Sequence, residues 1–136
     1  MSSLTLEVAM DSYNPEHAPV GNEWLEIDED ERLMLVEQYH RDARIRLPKS
    51  ARRVHATMHT IVENQLALND EPVVKALDRL MREGLTRHDA LHAIGYLVSE
   101  QIYDILKHNE TPDASKARYY AAIEQLTAAA WLSGKS

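Results

Sequence analysis

Two pairs of histidines carry the chemistry that this sequence could perform. His55 and His59 stand four residues apart in His-Ala-Thr-Met-His-Thr-Ile, and His88 and His92 stand four apart in His-Asp-Ala-Leu-His-Ala-Ile. Side chains at positions i and i+4 lie one above the other on the same side of a helix. Each pair can therefore direct two imidazoles at one metal ion, and the repeated pattern predicts that four imidazoles lie close together.

A carboxylate extends the first histidine pair by one helical turn. Glu63 follows His59 by four residues, whereas Tyr96 occupies the corresponding place after His92. The candidate metal ligands are His55, His59, Glu63, His88 and His92. Imidazoles with a carboxylate suit zinc, iron, manganese, nickel or copper, because calcium and magnesium prefer oxygen ligands. Glu63 is expected to be either a fifth ligand or a residue that orients one of the histidines.

Common catalytic motifs do not accompany these histidines. A His-Glu-x-x-His hydrolase motif would need glutamate where the chain has Ala56 and Asp89. The chain has no cysteine nucleophile, no Gly-x-Ser-x-Gly elbow and only four glycines for a phosphate-binding loop. The sequence therefore predicts a candidate metal site and no particular reaction.

Histidine pairs of this kind also occur for structural reasons. Histidines at the edge of a core hydrogen-bond to backbone groups or carboxylates, and two similar helices can repeat a packing pattern. His40 and His108 have the positions of solvated or capping residues and His17 lies near the amino terminus, so these three are not counted as candidate ligands. Gly95, one turn after His92, indicates either tight helix packing or room for a ligand.

Charged residues are separated along the chain. Acidic residues concentrate at 23–31 and basic residues at 41–53. This pattern is typical of solvated helix ends whose charges complement the helix dipole. The alternative is an anion-binding patch, for which Arg53 and Arg87 are the candidates because each stands just before a histidine pair and could attract a carboxylate or phosphate.

Composition limits the class of protein. At 136 residues the chain is expected to form one domain. A net charge of −7 disfavours nucleic acid as a partner, since a nucleic-acid binder would be basic. The absence of cysteine, of an apolar run of about 20 residues and of a basic, then apolar, amino terminus favours a cytoplasmic protein with no membrane partner.

Apolar spacing predicts five helices and no strands. The expected helices cover about 28–46, 50–68, 70–84, 86–108 and 111–131. Asp28, Asp70, Thr86 and Thr111 are suitable N-cap residues, and Gly84 suits a helix end. Because the histidine pairs lie on the second and fourth helices, they can face each other across a groove.

The fold class follows from these elements. Residues 1–22 contain Asn14-Pro15 and little periodicity, so they predict an extended or flexible arm. Residues 23–136 are expected to form the helical bundle domain. The prediction is an all-α, single-domain bundle of about five helices with a partly extended N-terminal arm.

The motifs also resemble those of a known family. The segments His-Ala-Thr-Met-His-Thr-Ile-Val-Glu-Asn-Gln and Arg-His-Asp-Ala-Leu-His-Ala-Ile-Gly, with Glu-Trp-Leu-Glu-Ile-Asp-Glu-Asp-Glu-Arg before them, resemble a family of small uncharacterised bacterial all-helical proteins with twin HxxxH motifs. The resemblance covers residues 13–107. It implies a helical bacterial protein, and it emphasises the twin histidines and Glu63 without giving them a role.

Three functions stay open at this point. The first is binding of a transition metal through the two HxxxH helices. The second is a non-enzymatic protein-interaction module with structural histidines. In this module the acidic arm, exposed Trp24 and Trp131 or the C-terminal helix contact a protein partner or a second copy of the chain. The third is a small-molecule binder with a histidine-lined groove and no metal.

Overall fold

The computed structural model describes residues 12–42 and 49–134, and these ranges contain seven helices and no strand. The helices are α1 (Gly21–Glu26), α2 (Glu29–Asp42), α3 (Lys49–Ala67), α4 (Glu71–Arg82), α5 (Arg87–His108), α6 (Pro112–Gln125) and α7 (Ala128–Gly134). The predicted all-α class is confirmed, whereas the prediction of about five helices is too low by two. The expected end of the first long helix near residue 46 lies outside the described residues.

Helix α1 is the first addition to the predicted set. It places Trp24 in a fully buried position, where the indole Nε1 donates a hydrogen bond of 2.9 Å to Asn64 Oδ1 on α3. Gly21 lies so close to α3 that a Cβ atom there would be 3.1 Å from the Ala67 carbonyl oxygen. The prediction of an exposed Trp24 is therefore wrong, because this residue anchors α1 to α3.

The second additional helix results from a break in the predicted last helix. Leu126 has an extended backbone (φ −70°, ψ 131°) and ends α6 before α7 begins. Arg79 Nη2 of α4 donates to the carbonyl oxygens of Ile123 and Leu126, each at 2.9 Å. The Ala128 N–H donates to Glu83 Oε1 at 2.8 Å. Side chains near the end of α4 thus satisfy backbone groups that a continuous helix would have paired internally.

Helices α3 and α5 form the centre of the bundle and run antiparallel. The His55 ring lies beside that of His92 and the His59 ring beside that of His88, so residue numbers increase in opposite directions along the two helices. Helices α1 and α2 pack on α3, while α4 and α6 pack on α5. None of the helices in the described ranges is both long and apolar enough to cross a membrane.

The described part of the N-terminal arm lies against the bundle. Residues 12–20 contain no helix, yet Tyr13 is only 6% exposed and Pro15 is fully buried. The Tyr13 ring lies 5.7 Å from the Trp24 ring and 6.2 Å from the Tyr39 ring, measured between centroids. This segment therefore closes a small second core with α1, α2 and α3.

A short connection fixes the start of α5, the helix that carries His88 and His92. Gly84 has a left-handed φ of 112° that ends α4, and the Leu85 N–H donates to the Leu80 carbonyl at 3.1 Å. Thr86 then caps α5, since its Oγ1 accepts a 3.1 Å hydrogen bond from the Asp89 N–H. Both predicted boundaries are confirmed, and His88 falls in the first turn.

Loss of the Thr86 cap should destabilise the protein measurably. We expect Thr86→Ala to lower the free energy of unfolding by about 1 kcal/mol, because the Asp89 N–H loses its acceptor. Urea unfolding followed by circular dichroism measures the change. Thr86→Ser keeps the hydroxyl and is the matched control. Equal stability of the alanine and serine variants would contradict the capping role.

Candidate metal centre

Five histidines converge where α2, α3 and α5 meet. His40, His55, His59, His88 and His92 each offer one ring nitrogen, and these five atoms all lie within 4.8 Å of one another. The structure thus brings together the four histidines of the twin motifs. It also adds His40, which the sequence did not indicate as a candidate.

The antiparallel packing of α3 and α5 sets the two HxxxH motifs face to face. Along each helix the rings are close: 5.0 Å between the centroids of His55 and His59, and 4.3 Å between those of His88 and His92. Across the helices, His55 lies 4.6 Å from His92 and His59 lies 5.0 Å from His88. His59 and His92, diagonally across the group, are also only 4.9 Å apart. The i,i+4 spacing therefore produces one compact group of four imidazoles rather than two separate pairs.

Helix α2 contributes His40 to this group. Its side chain is 3% exposed, and its ring centroid lies 4.5 Å from that of His55 and 4.9 Å from that of His59. His40 Nδ1 is 2.8 Å from the Val36 carbonyl oxygen. A carbonyl only accepts hydrogen bonds, so Nδ1 carries the proton and Nε2 keeps its lone pair. The sequence places His40 on the apolar face of its helix, because it follows Leu33 and Val36 at helical spacing. This pattern could have identified His40 as a candidate.

A tyrosine fixes the protonation of His59 in the same way. The Tyr13 hydroxyl donates its one hydrogen to Glu63 Oε2 at 2.5 Å. The same hydroxyl oxygen lies 3.3 Å from His59 Nδ1, so this nitrogen acts as the donor. His59 Nε2 is consequently the unprotonated nitrogen, which is the form that binds a metal ion.

Glu63 lies outside the group of five, next to it. Arg87 Nη1 and Nη2 each donate a 2.8 Å hydrogen bond to a different carboxylate oxygen of Glu63, and both side chains are almost completely buried. Arg87 Nη1 also donates to the Pro15 carbonyl at 2.8 Å. Burial alone would lower the pKa of Arg87, but the hydrogen bonds and charge of Glu63 raise it. With its carboxylate engaged by Arg87 and Tyr13, Glu63 has the position of an orienting residue.

The two arginines of the predicted anion patch are both paired with carboxylates of the chain. Arg53 is exposed, and its Nη1 lies 3.4 Å from Glu37 Oε1. Arg87 is buried against Glu63. The geometry gives no support to anion binding by this pair.

Burial lowers the pKa of four of the five clustered histidines and so favours their neutral form. It lowers the pKa of His59 strongly, with further lowering from the neighbouring histidines. Burial and the charges of His40 and His88 lower the pKa of His55 to about 4. The pKa values of His40 and His88 are also lowered, mainly by burial. Neutral imidazoles are the form in which histidine coordinates metals.

The arrangement fits a single metal ion. Metal–imidazole bonds of about 2.1 Å place opposite ligands about 4.2 Å apart, so nitrogens within 4.8 Å need only a small contraction to share one ion. The Nε2 atoms of His40, His55, His59 and His88 are buried and form no hydrogen bond within the described part of the chain. Buried polar atoms of native proteins normally have partners. A metal ion would supply one partner to all of them.

Comparisons with known proteins add no relative to this picture. No family model, no curated protein and no solved structure matches the chain. The resemblance to a bacterial family stays a prediction, and the function is inferred from the geometry and chemistry of the side chains.

Removal of the Glu63 charge should destabilise the protein strongly. We expect Glu63→Gln to lower the free energy of unfolding by about 3 kcal/mol or more, because Arg87 would keep a buried and uncompensated charge. Chemical denaturation measures the difference. Glu71→Gln is the matched control, since Glu71 forms an exposed ion pair with Lys75 and its loss should leave stability unchanged. Similar effects of the two substitutions would contradict the role of the buried pair.

Stability of the metal-free protein should fall as the pH falls from about 6.5 to about 4. The unfolded chain protonates its histidines near pH 6.5, while His55 stays neutral in the folded state down to about pH 4. The unfolded state therefore binds more protons in this window, and each such histidine lowers the free energy of unfolding by up to about 1.4 kcal/mol per pH unit.

Urea unfolding in the presence of a chelator, repeated across this pH range, tests the dependence. The slope should decrease in His55→Gln/His88→Gln and persist in His17→Gln/His108→Gln, which alters two exposed histidines. An unchanged slope in the first variant would show that the clustered imidazoles are not its source.

Proposed function

We propose that this protein binds one transition-metal ion through five histidines. The proposed ligands are His40, His55, His59, His88 and His92. The observation that carries the proposal is the approach of five ring nitrogens, from three helices, to within 4.8 Å of one another. Local backbone and side-chain contacts hold His40 and His59 in the tautomer that keeps the lone pair on Nε2 for coordination.

A purely structural role accounts poorly for the same histidines. Structural histidines use their ring nitrogens in hydrogen bonds, whereas four buried Nε2 atoms of this cluster have no such partner among the described residues. Each unsatisfied buried group costs about 1–3 kcal/mol. The cluster therefore favours metal binding over the interaction module with structural histidines, and over a groove that uses the histidines without metal.

The donor set narrows the choice of metal. Five imidazoles and no thiolate suit an ion of intermediate softness such as iron(II), nickel(II), copper(II) or zinc(II). Manganese, magnesium and calcium prefer carboxylate, carbonyl and water ligands, so they fit this set less well. Five protein ligands leave one position of an octahedral ion open, and that position is where a further ligand would bind.

Glu63 serves this site as an orienting residue. Its carboxylate accepts a hydrogen bond from the Tyr13 hydroxyl, and the Tyr13 oxygen in turn accepts one from His59 Nδ1. Such outer hydrogen bonds fix the ring orientation of a metal-bound histidine and increase its basicity. Arg87 balances the charge of Glu63 in this buried position.

Metal content tests the proposal directly. Elemental mass spectrometry of protein purified without an affinity tag or chelator should find about one transition-metal ion per chain. The variant His59→Ala/His92→Ala should retain none, because it removes one ligand from each HxxxH motif. The matched control His17→Ala/His108→Ala, which changes two exposed histidines outside the cluster, should retain the full amount.

His40→Ala separates a five-ligand site from a four-ligand site. We expect it to weaken metal affinity at least tenfold in a competition titration with a chromophoric chelator, while circular dichroism shows that the helices persist. A parent protein that carries no metal and binds none of iron(II), nickel(II), copper(II) or zinc(II) on titration would refute the proposed function.

A further inference from the structure

A groove of about 710 Å³ opens beside the histidine cluster, between α3 and α5. His55, His59 and His92 are among the residues that line it, together with Trp131 of α7. Binding sites for small molecules have volumes of about 300–1,000 Å³. The groove therefore has the size of a small-molecule site, and it adjoins the proposed metal ion.

The rest of the groove is apolar and uncharged. Its walls include Val54, Met58 and Leu91, and none of the described residues that line it is an aspartate, glutamate, lysine or arginine. The Ser99 hydroxyl also lines the groove, but it donates to the Tyr96 carbonyl at 2.6 Å. In a chain with a net charge of −7, such a lining selects for an uncharged, apolar ligand.

Aromatic side chains mark the groove as suited to a flat ring. The rings of Tyr96 and Trp131 lie 6.2 Å apart, and Tyr96 is 55% exposed. Gly95, on the same wall, adds no side chain. A Cβ atom there would lie 3.5 Å from Met58 Cβ, which is ordinary contact, so close packing of the helices does not require glycine at this position. Glycine inside a helix costs about 1 kcal/mol relative to alanine, and a ligand in the groove would give this position a reason to lack a side chain.

We propose that the groove binds an uncharged aromatic small molecule whose one nitrogen or oxygen donor reaches the open position of the metal ion. The inference rests on the proposed function, because the donor end of the ligand needs the metal as its partner. The apolar walls hold the ring, and the histidine end selects the donor. This combination distinguishes the site from a general apolar surface.

Binding of 4-phenylimidazole, compared with imidazole, tests the inference on the cobalt(II)-loaded full chain. The two probes share a donor nitrogen and differ by one phenyl ring. Absorption of the cobalt reports coordination, and tryptophan fluorescence reports occupation of the groove next to Trp131. We expect 4-phenylimidazole to bind at least tenfold more tightly than imidazole.

Variants that fill the groove should remove this preference. Ala51→Phe and Ser99→Phe add a ring from opposite walls, and both should bring the two affinities to within about twofold while cobalt content stays unchanged. Two positions are used so that a folding defect in one variant does not decide the result. Ala117→Phe, on the exposed side of α6, is the matched control and should keep the preference.

The other outcomes overturn the inference in distinguishable ways. Equal affinities for the two probes in a cobalt-loaded parent would refute the aromatic groove and leave the metal site intact. A parent that binds no cobalt and no other transition metal would refute the proposed function and this inference with it. A parent that is dimeric by light scattering, binds neither probe and becomes monomeric in Ala51→Phe would show that a second copy of the chain occupies the groove.

Discussion

The buried ion pair between Glu63 and Arg87 fixes how the two central helices lie against each other. Buried charges are stabilised only when the geometry of their hydrogen bonds is good. Here two hydrogen bonds of 2.8 Å join the Arg87 guanidinium to both carboxylate oxygens of Glu63. Glu63 stands one turn beyond His59, and Arg87 stands next to His88. A slip of α3 along α5 would therefore break the ion pair and also separate the histidine motifs, so one interaction sets the register for the other.

The same ion pair acts on the chemistry of the site. It holds the Glu63 carboxylate inside the protein, where this group accepts a hydrogen bond from the Tyr13 hydroxyl and leaves the Tyr13 oxygen as an acceptor for His59. Burial and the charge of Glu63 also raise the pKa of Tyr13 well above its usual value, so the hydroxyl keeps its proton. A chain of three side chains thus determines which nitrogen of His59 carries the proton, although none of the three belongs to the group of five histidines.

Local sequence patterns predicted the parts of the site that depend on one helix, and they missed the parts that depend on tertiary contacts. The twin motifs, the caps of α5 and the all-α class follow from spacing and capping chemistry within a few residues. Prediction of His40 as a member of the cluster required knowledge that α2 packs against α3, although its spacing from Val36 placed it on the apolar face of α2. Tyr13 lay in a segment with no periodicity. The break at Leu126 depends on Arg79, which is distant in sequence and supplies hydrogen bonds to the freed carbonyls.

Carboxylates near the cluster make the acidic composition of the chain favourable for the proposed cation. Neutral imidazoles would not reduce the positive charge of a bound ion, and the charge of Glu63 is balanced by Arg87. Glu16 accepts a 3.3 Å hydrogen bond from the His88 N–H, and the charges of Glu16 and Asp89 act to raise the pKa of His88. These carboxylates create a negative potential at the cluster without belonging to the group of five ring nitrogens. In the proposed site these carboxylates would stabilise the ion from a distance and leave its open position to an uncharged donor from the groove.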